Sequence, residues 1–170
     1  MADAPLPADD LRRPLNIANA DDPDRPHLGV AGDTYTVLLS GKDTAGRYCL
    51  IDMYVPPGGG PPPHRHDFEE SFTILSGAVE LYFRGETMTL HAPGTVHIPA
   101  NAPHSFKNTG IEAARLLCIA SPAGLEEFFA ALAIPVPTRT TPPPPPDPTA
   151  LAEALAKLAK LAPAYRTELL

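Results

Sequence analysis

The apolar positions of this chain come in short runs broken by glycine and proline, and most runs alternate with polar residues at a period of two. Thr34 to Ser40 reads as a strand, followed by a turn at Gly41-Lys-Asp. Arg47 to Val55 reads as a second strand, stopped by Pro56-Pro57, and Gly58 to Pro63 as the loop beyond it. Glu70 to Ser76 and Ala78 to Arg84 flank a turn at Gly77, and Gly85-Glu86 makes a hairpin into Thr87 to His91. Thr95 to Ile98, His104 to Asn108 and Ala113 to Ala120 complete the set. Short strands with turns every eight to twelve residues predict an all-β sandwich or barrel.

The period changes after Ala120. Ser121 to Leu132 reads as a helix, with Ser121 as N-cap, Pro122 in the first helical position, and an apolar stripe of Leu125, Phe128, Phe129 and Leu132. A second helix is expected from about Pro148 to Ala162, with Leu151, Leu155, Leu158 and Ala162 on one face and a Glu153–Lys157 pair on another. That stripe needs a partner, either the chain's own barrel or a second subunit, and a homodimer is expected. The organisation predicted is an irregular arm over 1–27, a barrel with its following helix over 28–132, a proline-rich linker over 133–148, and a helix and tail over 149–170.

Composition narrows the function classes. With 13 Lys and Arg against 20 Asp and Glu, the net charge is −7 and no basic cluster stands out, so nucleic acid is not an expected partner. No apolar run approaches the roughly 20 residues of a spanning helix. The opening Met-Ala-Asp-Ala-Pro-Leu-Pro lacks a basic region followed by an apolar one, and a soluble cytoplasmic protein without a membrane partner is expected. Cys49 and Cys118 lie inside apolar strand runs and read as buried thiols.

The chemistry concentrates between Gly58 and Asn108. His64, His66 and Glu70 share one parity, so in an extended chain all three face one side. His104 follows the turn-rich stretch Pro99-Ala-Asn101-Ala-Pro103. Three imidazoles and a carboxylate suit one divalent transition metal: Fe, Mn, Ni, Cu or Zn. Phe72 and Phe106 share the parity of Glu70 and His104 and are candidate pocket residues. His91 and His97 read as surface or rim residues rather than ligands, and His97 joins the two phenylalanines as a candidate substrate contact. Asp67 and Glu69 have the opposite parity and read as solvated.

The spacing Gly58, His64, His66, Glu70, Gly77 resembles the first motif of the cupin superfamily. Pro99, Asn101, His104 and Asn108 resemble the second. Asn101 stands where that motif has a turn glycine, and Pro93 where it has its first glycine, with Gly94 one residue late. The resemblance implies a double-stranded β-helix, a jelly-roll barrel, with His64, His66, Glu70 and His104 as metal ligands. The phrase from Pro56 to Phe72 is most similar to small cupins related to quercetin dioxygenases. That implies an oxygenase-like enzyme acting on a small enol or phenol, with Glu70 also able to take a proton. A small-molecule sensor and a metal-dependent isomerase are the alternatives, since fold does not fix function.

Overall fold

The computed structural model describes residues 6–170. Its strands are β1 (His27–Val30), β2 (Asp33–Leu39), β3 (Cys49–Val55), β4 (His64–His66), β5 (Glu69–Ser76), β6 (Ala78–Phe83), β7 (Glu86–His91), β8 (Gly94–Ile98), β9 (His104–Lys107), β10 (Ala114–Ser121), β11 (Ile134–Val136) and β12 (Thr167–Leu169). Helices α1 (Gly41–Thr44), α2 (Leu125–Leu132) and α3 (Pro148–Leu161) complete the elements, with a 3-10 turn at Ala162–Tyr165. All strand pairing is antiparallel. One sheet has the order β11-β1-β2-β3-β10-β5-β8 and the other β12-β4-β9-β6-β7, a two-sheet jelly roll as the strand pattern predicts.

Period-two burial builds the core. Ile51, Met53 and Val55 of β3, Leu116, Cys118 and Ala120 of β10, and Phe72 and Ile74 of β5 are buried, as are Val79 and Leu81 of β6 and Phe106 of β9. The register Cys118↔Phe72 and Cys118↔Ile51 keeps these side chains on one face across three strands.

Three segments differ from the sequence expectation. The first α2 turn starts at Leu125, not Pro122, with Gly124 as N-cap. Strand β10 runs on through Ser121, which pairs with Glu69 of β5 and whose hydroxyl donates to the Arg47 carbonyl (2.9 Å), so this residue ends a strand instead of opening the helix. Gly124 makes the turn at φ 138°, and Glu126 accepts from the amides of Gly124 (2.8 Å) and Gly41 (2.7 Å). Second, Gly41 to Asp43 is not a simple turn but opens α1, which begins with a Ser40–Asp43 capping box. Third, the stretch expected as linker contains β11, which pairs with β1. Beyond β11, the Thr141 carbonyl accepts from the Thr34 hydroxyl (2.6 Å), and Arg139 pairs with Asp21 and lies 3.8 Å from Asp52. These contacts help bury Thr34 and Asp52 on the outer face of β2 and β3.

Asp147 caps α3, its Oδ1 accepting from the amides of Thr149 and Ala150 (both 2.9 Å), with Pro148 at the first position. The leucine stripe docks only at its C-terminal end. Leu158, Leu161 and Ala162 pack on the core, whereas Leu151 and Leu155 stay 47% and 51% exposed. Tyr165 stacks on Phe128 at 5.0 Å, and the chain then enters β12, beside β4 in the register Thr167↔His66 and Leu169↔His64.

Candidate metal centre

Both sheets contribute to the site. His64 and His66 lie on β4 and His104 on β9, joined by the pair His64↔His104, while Glu70 reaches in from β5 of the other sheet. The approach loop is clamped to the ligand strands. Gly60 has φ 130°, and a Cβ there would overlap the Phe106 carbonyl on β9. Gly58 donates to the Asn108 carbonyl (2.7 Å), and the Asn108 amide donates to that of Gly59 (2.9 Å). The buried Asn108 side chain donates to the carbonyls of Val55 (2.9 Å) and Glu112 (2.8 Å), which gives this motif residue a structural task. Asn101 takes φ 67°, the left-handed turn that its side chain tolerates, and donates to the His66 carbonyl (2.6 Å).

The ligand atoms of His64, His66, Glu70 and His104 all lie within 4.8 Å of one another. Each imidazole is oriented the same way. Nδ1 of His64 bonds the Pro62 carbonyl, Nδ1 of His66 that of Phe68, and Nδ1 of His104 that of Ala102, all at 2.9 Å. A carbonyl only accepts, so each Nδ1 carries the proton and each Nε2 is left to ligate. The Nε2 atoms of His66 and His104 lie 3.1 and 3.2 Å from the same Glu70 oxygen, Oε2. Bare nitrogen lone pairs converging on a carboxylate oxygen repel unless a proton or a cation stands among them, and this donor set fits a divalent metal ion.

The charges agree. Burial first, and then the neighbouring His104, lower the His64 pKa to about 4, so this imidazole is neutral at physiological pH. Burial also lowers His104, but the hydrogen bond and charge of Glu70 outweigh it and raise this group above the usual histidine range. Burial pushes Glu70 up, yet the bonds from His104 and His66 prevail and hold its carboxyl well below the usual range. The other Glu70 oxygen, Oε1, accepts from the Cys118 thiol at 3.3 Å. Burial, and then the Glu70 charge, raise that thiol far above its ordinary value, so it stays protonated.

Beside the ligands lies a cavity of about 70 Å³, well above the roughly 15 Å³ that a single water requires. Phe72 and Phe106 line it, their rings edge to face at 5.3 Å, as do Tyr35, Met53, His64, His66 and Glu70. Phe128, Phe129, Leu158, Thr167 and Leu169 supply the remaining wall from α2 onward. His97 is not among these residues. It pairs with Ser71 across β5 and β8, its Nδ1 is 3.1 Å from the Ser71 hydroxyl, and its Nε2 is 3.0 Å from Glu69 on the outer face. Parity places it there, because Ile98 is the inward residue opposite Glu70. His91 is also exposed.

A family profile described as "Cupin domain" matches residues 51–120. Auxin-binding protein 1 of Arabidopsis thaliana is 34% identical over 139 residues, covering 74% of this chain and 67% of that protein. This chain is a cupin. It is also 25% identical over 108 residues to quercetin 2,3-dioxygenase of Bacillus subtilis, a match over 62% of the cupin chain and 32% of the dioxygenase. The chain thus spans about a third of that enzyme's length. Among solved structures, the polyketide cyclase RemF of Streptomyces resistomycificus superimposes with a TM-score of 0.50 at 26% identity, covering 75% of this cupin and 77% of RemF. Among the described residues, no helix of this cupin is long and apolar enough to cross a membrane.

Proposed function

We propose that this cupin is a metal-dependent enzyme acting in an oxygenase-like reaction on a small enol or phenol. The observation that carries the reading is the convergence of the Nε2 atoms and Glu70 Oε2 beside an apolar cavity. His64, His66, Glu70 and His104 hold the ion. Bound there, a divalent ion would supply Lewis-acid activation of a substrate oxygen and, if redox-active, chemistry with dioxygen. Glu70 lines the cavity and serves as acceptor for the substrate hydroxyl proton. Phe72 and Phe106 wall the ring or chain of the substrate and keep water from it. The similarity to quercetin 2,3-dioxygenase supports this choice.

The test is oxygen uptake by protein purified without a chelating tag and loaded in turn with Fe, Mn, Ni, Cu or Zn, against flavonols and enediols. Substrate-dependent uptake with a redox-capable metal is expected, and Glu70→Gln should retain some metal while losing most turnover. No uptake under any pairing overturns the oxygenase reading. A second reading has its own support in the RemF similarity. In it the same residues hold an enolisable polyketone for ring closure, and mass spectrometry would find product under argon without oxygen consumption. Tight ligand binding with no product in either assay would identify a sensor.

A further inference from the structure

Glu70 is a buried carboxylate with two oxygens in different surroundings, and only one of them faces the histidines. Oε2 lies 3.1 and 3.2 Å from the Nε2 atoms of His66 and His104. Oε1 points the other way, to the Cys118 thiol at 3.3 Å. Cys118 comes from β10, the strand next to β5, two positions out of register with Glu70, whose partner is Ala120. Its side chain is fully buried, and among the described residues no other donor reaches Oε1. The Cys118 sulfur is not one of the converging ligand atoms.

We propose that Cys118 is a positioning residue for the metal centre: its thiol holds Oε1 and leaves Oε2 alone to serve as the carboxylate ligand. A carboxylate with both oxygens free can swing to bind an ion through both and so occupy a position that substrate needs. A thiol suits the task. It is apolar enough for the core, it donates one weak bond, and a hydroxyl is the only comparable donor of similar size. Alanine would leave Oε1 without its thiol donor, and the carboxylate would turn to find another. The proposal rests on the site holding a metal, which metal uptake by the native protein tests by itself.

The experiment compares native protein, Cys118→Ala and Cys118→Ser, each stripped with chelator and reloaded with Cu(II). Calorimetry gives the affinity and electron paramagnetic resonance the ligand field. Cys118→Ala should bind Cu(II) roughly tenfold more weakly, at the low end of losses for partners that orient a ligand, and its hyperfine splitting should shift. Cys118→Ser should restore both, and circular dichroism reports whether each variant folds. Superimposable spectra and equal affinities in native and Cys118→Ala overturn the proposal. So does an intense sulfur-to-copper absorption band in the native protein, which would make Cys118 a ligand. Failure of the native protein to bind any metal overturns the metal reading along with it.

Discussion

Imidazoles whose Nδ1 protons are all committed to carbonyls leave no choice of ligating nitrogen, so His64 and His104 cannot be replaced by a neighbour. His64→Ala or His104→Ala should weaken metal binding by more than the roughly hundredfold that loss of an orienting partner costs. The fold should persist, because the core rests on strand packing, and metal analysis with circular dichroism checks both. Affinity in the native protein should climb with pH, since Glu70 raises the His104 pKa and the ion must displace that proton. Asp33 gives a separate residue-scale prediction. It is fully buried, accepts from the Tyr35 hydroxyl (2.9 Å) on Oδ2, and among the described residues has no partner on Oδ1. Burial raises its pKa from 3.8 to about 7. Between those values the folded state keeps a proton that the unfolded chain has released. The contribution is therefore full below pH 3.8 and is lost as pH rises through about 7, on the order of 4 kcal/mol in all. Asp33→Asn cannot ionise and should flatten that fall in urea melts from pH 4 to 8. Parallel profiles for the two proteins would contradict it.

At the scale of elements, the cover of the cavity is the part that a family profile over 51–120 does not reach. Leu158, Thr167 and Leu169 wall the cavity from α3 and β12, and β12 is clasped by exposed ion pairs, Arg65–Glu168 and Arg166–Asp67. Deleting residues 162–170 should remove the buried Ala162, the Tyr165–Phe128 stack and the β12 pairing, costing on the order of 2 kcal/mol or about 5 °C in melting temperature. It should also admit larger ligands than a cavity of about 70 Å³ allows, and calorimetry with phenols of increasing size would show this. An unchanged melting point would mean the segment adds no stability. The sequence shows why this cover was illegible in advance while the barrel was not. The parity of His64 and His66 and the period of the long strands carry their own signal, whereas Glu70 reaches the histidines from a strand of the other sheet. β11 and β12 have three residues each, too few for a period, and pair with residues distant in sequence. Cys118 reads as an ordinary core thiol until Glu70 is placed beside it, and His97 reads as a candidate substrate contact until its register with Ser71 is known. The Ser121 cap failed because β10 runs on through this residue, which pairs with Glu69, and the helix begins only at Leu125.

For the whole molecule, an ion bound by His64, His66, Glu70 and His104 would join the two sheets, because Glu70 belongs to one and the histidines to the other. Binding to the folded state alone stabilises by about 4 kcal/mol at a free concentration of roughly a thousand times Kd. Loading should therefore raise the melting temperature by about 10 °C, and chelator should reverse the rise in a calorimetric scan. No shift on loading would mean that the site contributes nothing to cohesion between the sheets. The half-exposed Leu151 and Leu155 bear on assembly at this scale, and light scattering of the full chain against its 18.0 kDa mass would test the expected homodimer.

The pairing of Thr167 with His66 also orders events in time. A ribosome makes β12 about a hundred residues after the strand it flanks, which is roughly 5–20 s later at synthesis rates of about 5–20 residues per second. Once β9 has been made, the other ligand-bearing strands exist while one side of His64 and His66 still lacks its neighbour. The nascent chain thus has a period of wider access to its ligands, which β12 later narrows.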